Sequence, residues 1–190
     1  MNYRKTITLK DGRSCLLKSA GEEDAQALLE VFRRTHEETD FLLAYNDEKH
    51  PTLEEEREFL RRLREHPREA EILAFVEGSA VACGGISQVG AREKLRHRCG
   101  FGVSVERAFW GLGIGAALTA SAIECARLAG YEQMELDVVA DNERAIALYQ
   151  RFGFVEYGRN PRGFLARGKG YQELVLMALE LKEKKGDVAP

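Results

Sequence analysis

Val103-Ser104-Val105-Glu106-Arg107-Ala108-Phe109-Trp110-Gly111-Leu112-Gly113-Ile114-Gly115 joins two different periodicities. Before it, Phe101, Val103 and Val105 alternate with Gly102 and Ser104, the period of two of a half-buried strand. After it, Ile114, Leu118, Ala122, Cys125 and Leu128 recur at helical spacing, and Gly130 ends the helix. The glycines therefore mark a strand-to-helix turn. Glycine lets a backbone approach a ligand closely and take φ values barred to other residues. The free N–H groups at a helix start, aided by the helix dipole, make an anion site. A phosphate-bearing cofactor fits such a turn, and so does a tight connection that binds nothing. A Walker loop is excluded because Gly115 is followed by Ala116-Ala117 rather than Lys-Ser/Thr. A dinucleotide fingerprint is excluded because the third glycine comes after a single residue.

Outward from this turn, the chain alternates strand and helix signals. Asp11-Gly12 between residues 6–9 and 14–18 predicts a hairpin. Ala25, Leu28, Leu29 and Phe32 predict a helix to about Arg34. Thr52 with Glu55 predicts a capping box for a second helix, which ends near His66-Pro67. Residues 71–77 and 80–89 read as strands joined by Gly78-Ser79, and residues 97–105 read as the strand that enters the turn. Met134, Leu136 and Val138 share one side of a further strand. Ala145, Leu148 and Phe152 align on a helix over residues 142–152, stopped by Gly153. Residues 154–157 and 171–182 form a last pair across a glycine-rich link. The order predicts one α+β or α/β sheet domain over residues 1–181, with a frayed tail over 182–190.

Composition narrows the class. The chain has 190 residues, 44% apolar and 31% charged, with a formal net charge of -3. That suits one soluble domain and gives no reason to expect a nucleic-acid partner. The four cysteines form no C-x-x-C pair, so neither a zinc site nor a disulfide framework is expected, and a reducing cytoplasm suits them. The first ten residues lack the apolar stretch of a secretory signal, and no apolar run reaches membrane-spanning length.

A second block lies downstream: Asn142-Glu143-Arg144-Ala145-Ile146-Ala147-Leu148-Tyr149-Gln150-Arg151-Phe152-Gly153-Phe154. The glycine turn resembles motif A of the GNAT superfamily of N-acetyltransferases, and this block resembles its motif B. Trp110 stands where Gln or Arg is common, as in the branch that contains the ribosomal-protein N-terminal acetyltransferases. The resemblance covers roughly residues 3–181. It implies a GNAT-type fold, a mixed and mostly antiparallel sheet flanked by helices. It implies acetyl-CoA as co-substrate, no metal, and an amine acceptor. Val103, Ser104 and Val105 would lie along the pantetheine arm. Amides of Leu112, Gly113, Ile114, Gly115 and Ala116 would hold the pyrophosphate, with Arg107 as a charged contact. Asn142 would touch the cofactor arm or cap its own helix.

Acetyl transfer needs a neutral amine, a stabilised oxyanion and a proton for the departing thiolate. Tyr149 matches the family's leaving-group acid. Relatives commonly carry a carboxylate base in the strand before motif A, but Gly100-Phe101-Gly102 occupies that region. His97, Asp137 or a water chain are the candidates for base. For the acceptor, Glu38, Asp40 and Phe41 after the first helix, and Tyr171 and Glu173 near the last strand, offer charge and ring contacts to a cationic amine. The link Arg167-Gly168-Lys169-Gly170 reads as a mobile lip. A small primary amine or a protein N-terminus would be the acceptor. A non-catalytic acyl-CoA sensor is the alternative from another class. Strand addition through the last strands would make a homodimer.

Overall fold

A computed structural model of the protein describes residues 1–182. The tail expected to fray lies, beyond Lys182, outside the described residues. The elements are β1 (Arg4–Thr8), β2 (Ser14–Ser19), α1 (Ala25–Glu38), α2 (Leu53–Glu65), β3 (Ala70–Val76), β4 (Ser79–Gln88), β5 (Arg98–Val105), α3 (Ile114–Leu128), β6 (Gln133–Val139), α4 (Glu143–Arg151), β7 (Val155–Ala166) and β8 (Gly170–Glu180). The strands form one eight-stranded sheet in the order β1-β2-β3-β4-β5-β6-β8-β7. Every neighbouring pair is antiparallel except β5 and β6.

Strand alternation divides the core between the two faces of this sheet. On one face Ile72, Ala74, Phe101, Met134, Leu136 and Met177 pack with Ile114, Leu118 and Ala122 of α3 and with Tyr149 of α4. On the other, Leu73 and Ala80 pack with Leu28 and Val31 of α1 and with Leu60 and Leu63 of α2. Local chemistry sets the ends. Thr52 Oγ1 accepts from the Glu55 amide at 3.2 Å and Glu55 Oε2 accepts from the Thr52 amide at 2.7 Å, the reciprocal cap that the sequence predicts.

Two boundaries and one buried position differ from the sequence reading. The β3–β4 turn is Glu77-Gly78, both at positive φ (52° and 83°), one residue earlier than Gly78-Ser79, as a two-residue hairpin of the I′ kind requires. Strand β7 runs far past Tyr157. Gly158, Pro161 and Gly163 hid it, and the ladder absorbs that stretch in irregularities at Glu156/Gly158 and Asn160/Phe164. Leu128, placed on the buried face of α3, is 73% exposed in the helix's last turn.

Candidate active site

The parallel pair β5/β6 is short. Arg98, Cys99 and Gly100 lie opposite Gln133, Met134 and Glu135, and the strands then part. The β4–β5 ladder fixes which way the freed edge of β5 points. Glu106 N donates to Val81 O at 3.0 Å and Val89 N to Arg98 O at 3.4 Å. In this register Gly102 and Ser104 use their backbone groups toward β4. The N–H and C=O groups of Val103 and Val105 therefore face the gap. An extended ligand arm laid there would find strand-like partners. The Val105 carbonyl already accepts the Trp110 indole Nε1–H at 2.6 Å. Ser104 points elsewhere: its hydroxyl sits 3.3 Å from Cys83 Sγ on the opposite face. It is not part of this edge, a correction that follows from strand alternation.

The turn after β5 is pinned and open. Leu112 O accepts from the Lys10 amide at 3.1 Å. Gly111 and Gly113 hold φ values of 84° and 102°, conformations that a side chain would strain. Gly113 caps α3 and no side chain caps it, so the amides of Ile114, Gly115 and Ala116 have no partner in the helix. These amides can receive an anion. Arg107 is engaged by Glu38. Its guanidinium donates to the Glu38 carbonyl, and its amide donates to Glu38 Oε2 at 2.6 Å. Arg144, which sequence reasoning passed over, also borders the turn: its Nη2 lies 3.7 Å from where a Cβ on Gly111 would stand, and its guanidinium lies 5.3 Å from the Trp110 ring centroid, against 5.6 Å for Arg107. Only the folded turn brings it there, although it belongs to the second motif.

Asn142 caps α4, its Oδ1 accepting from the Ala145 amide at 3.2 Å. One face of that helix carries Tyr149 to the sheet, with its ring edge-on to Phe101 at 6.2 Å and tilted against Phe154 at 5.8 Å. The residue is 8% exposed, and burial pushes its phenol up to about 12. A phenol so placed holds its proton across the physiological range and stays a hydrogen-bond donor to negative charge that develops beside it.

Several acceptor-side expectations change. Glu38 is taken up by Arg107, Asp40 pairs with Lys169, and Glu173 lies 3.3 Å from Arg159. Asp40 and Glu173 are neutralised by local cations, and the Glu38 carboxylate is occupied by a backbone amide, so all three are poor anchors for a cationic amine. Tyr171 is exposed, with Arg162 4.9 Å from its ring centroid. Phe41 is partly exposed in the α1–α2 loop. The glycine link is not a free lip. The Arg167 amide donates to Tyr45 Oη at 2.9 Å and its guanidinium to Asp47 at 2.6 Å, so the β7–β8 tip is stapled to the α1–α2 loop. His97 is exposed before the start of β5, about 20 Å along the strand from Val103 at ~3.3 Å per residue. That distance removes it as a base. Asp137 is exposed on β6, and its carboxyl is raised by burial and by Glu135. Glu135 itself is held low by Arg98.

No helix among the described residues is long and apolar enough to cross a membrane, and no described group of His, Cys, Asp and Glu is arranged to hold a metal. The described cysteines are all free thiols.

The chain is similar to known proteins. The acetyltransferase (GNAT) family matches residues 25–154. The L-amino acid N-acetyltransferase AaaT of Escherichia coli is 30% identical over 118 residues, which is 62% of this chain and 72% of that protein. A second relative, mycothiol acetyltransferase of Paenarthrobacter aurescens, is 49% identical over 47 residues; these are 25% of this chain and only 15% of the relative. A GNAT-family acetyltransferase structure from Streptococcus pneumoniae superposes with a TM-score of 0.84 at 29% identity, covering 87% of this chain and 99% of that one. The yncA structure from Salmonella typhimurium, solved with acetyl-CoA, shares the fold at a TM-score of 0.79 and 19% identity, over 93% of this chain and 99% of that one. The splayed strands, the open helix start and these likenesses agree: the chain belongs to the GNAT acetyltransferase family and uses acetyl-CoA as its acyl donor.

Proposed function

We propose that the protein moves an acetyl group from acetyl-CoA to a small primary amine by direct attack in a ternary complex. The observation that carries this reading is the β5/β6 splay, with the backbone groups of Val103 and Val105 open to it and Tyr149 packed against Phe101 beside it. In this reading the pantetheine arm pairs with Val103 and Val105. The amides of Ile114, Gly115 and Ala116 hold the pyrophosphate, with those of Leu112 and Gly113 alongside. Arg144 replaces Arg107 as the charged contact. A strand amide at Val103 meets the oxyanion. Tyr149 protonates the thiolate. Asn142 acts as the cap that aligns α4. The domain spans residues 1–181 and works in the cytoplasm, where four free thiols persist. A homodimer would form along β7, the free sheet edge that exposes Val155, Tyr157 and Leu165.

The acceptor is a small amine rather than a protein N-terminus because the α1–α2 loop is stapled to the β7–β8 tip, which narrows the approach on that side. An α-amino acid is one such amine, in line with the acceptor named for the Escherichia coli relative. Release of free thiol from acetyl-CoA, followed across primary amines, α-amino acids and N-terminal peptides, tests this. Turnover with small amines and little with peptides is expected. Turnover confined to peptides reverses the acceptor choice. Binding of acetyl-CoA without thiol release from any of them identifies a sensor instead.

A further inference from the structure

The rim carboxylates are paired, but two inner ones are not. On the sheet face covered by α1 and α2, Glu71, Gly85 and Gly102 stand side by side across β3, β4 and β5. A Cβ built on Gly85 would come within 2.2 Å of Glu71 Oε2. The Glu71 carboxylate therefore lies over Gly85, in the space that any side chain there would fill. Above Gly102 the space is empty: a Cβ there would meet nothing within 4 Å. Adjacent strands run ~4.8 Å apart, so the carboxylate stands about one strand from Gly102. The next residue, Val103, presents its amide to the splay. From α2, Glu56 comes near the same space; it is 7% exposed, and its charge acts on Glu71.

We propose that Glu71 is the proton acceptor for the attacking amine, its carboxylate reaching across Gly85 to a nitrogen seated above Gly102. This rests on the acetyl-transfer reading above and supplies the base that Gly100-Phe101-Gly102 does not. An ammonium acceptor gives one N–H proton to the Glu71 carboxylate and keeps the electron pair on nitrogen. That pair forms the C–N bond at the thioester carbonyl. The C–S bond breaks with its electrons on sulfur. The second proton lost by nitrogen replaces the one that Tyr149 delivers to the thiolate. Glu71 then releases its proton to water.

The surroundings suit that work. Burial pushes the Glu71 carboxyl up to about 7; a hydrogen bond from the Cys83 thiol opposes this, and the charge of Glu56 adds a smaller push in the same direction as burial. Burial keeps that thiol protonated. Burial also raises Glu56. Glu56 from α2 and Cys83 from β4 are the described titratable groups acting on Glu71. Asp137 continues the row on the far side of the gap, since Gly100 lies opposite Glu135. It is exposed to solvent there, across the space that the thioester arm would take.

The test compares the wild type with Glu71→Gln, Glu56→Gln and Asp137→Asn, using 1,4-diaminobutane and L-phenylalanine as acceptors and reading thiol release from about pH 5 to about pH 9, a window of about two units either side of the expected limb. For the wild type, kcat should rise through a limb near pH 7. Glu71→Gln should lose roughly 100-fold in kcat at neutral pH, with the deficit shrinking as the amine deprotonates on its own. Its affinity for acetyl-CoA and its fold should be retained. Glu56→Gln removes a neighbouring negative charge, so the limb should move to lower pH, and this readout decides the matter should Glu71→Gln fail to fold. An active wild type with an unchanged rate and limb in Glu71→Gln, or a limb abolished by Asp137→Asn instead, overturns the assignment of Glu71 alone. A wild type that releases no thiol with any amine overturns the acetyl-transfer reading itself.

Discussion

In the proposed reading, the donor half and the acceptor half of the site are built in different ways. The donor half is local. One strand, one turn and the first turn of α3 supply the free amides, and Asn142 and Tyr149 come from a single helix and its cap. The acceptor half is assembled across the chain. Asp40 meets Lys169 129 residues away, and Asp47 meets Arg167 120 residues away. A backbone anion site is defined by conformation, and glycine spacing encodes conformation. A carboxylate's role depends on its neighbours, and those are known only once the chain has folded.

The largest expected effect falls where both halves meet. Tyr149→Phe should lower kcat by about 100-fold while leaving the affinity for acetyl-CoA within a few-fold of the wild type, as steady-state kinetics and calorimetry can show. With its phenol pushed up to about 12, Tyr149 stays protonated, so kcat should show no falling limb below about pH 10. A basic limb near pH 8 would mean that another group is the acid.

Next comes a purely donor-side change. Gly113→Ala forces a side chain onto a backbone at φ 102°, at about 1–3 kcal/mol, or roughly 5- to 150-fold in acetyl-CoA Kd if the strain falls on the bound turn. The KM of the amine should hardly move. Equal losses in both would show that the two halves are coupled.

The inner carboxylates give a stability effect whose sign is fixed. The Glu71 carboxyl is raised in the folded state, so its protonated form favours folding. That contribution is present below the ordinary carboxylate range and is lost as pH rises through about 7. Glu71→Gln should therefore raise the melting temperature more at pH 8 than at pH 5, relative to the wild type, by an amount calorimetry can resolve. A pH-independent difference would contradict the raised carboxyl.

The smallest effect belongs to the rim. Lys169→Ala breaks an exposed ion pair, worth about 0–1 kcal/mol. It should change the amine KM by a few-fold at most and the acetyl-CoA Kd not at all. A large loss in acetyl-CoA binding would mean that the stapled loop shapes the donor half too.

The same division governs what could be read from the sequence. The hairpin at Gly12, the Thr52–Glu55 cap and the turn into α3 all follow from residues a few positions apart, and all appear in the structure. Strand β7 did not, because Gly158, Pro161 and Gly163 suppress strand signals that the pairing with β8 overrides. Glu38, Asp40 and Glu173 looked like amine anchors because a carboxylate's partner is invisible until distant segments meet. Glu71 drew no notice for the converse reason. It sits at the end of an apolar strand, and only the register with Gly85 and Gly102 shows what its side chain reaches over.

Backbone amide resonances followed as acetyl-CoA is added to the protein test the central claim most directly. The account predicts that Val103, Val105, Ile114, Gly115 and Ala116 shift together in a saturable way, while Asp47 and Lys169 at the stapled rim stay still. Saturable binding that shifts the rim and leaves Val103 and the α3 amides unmoved would contradict it.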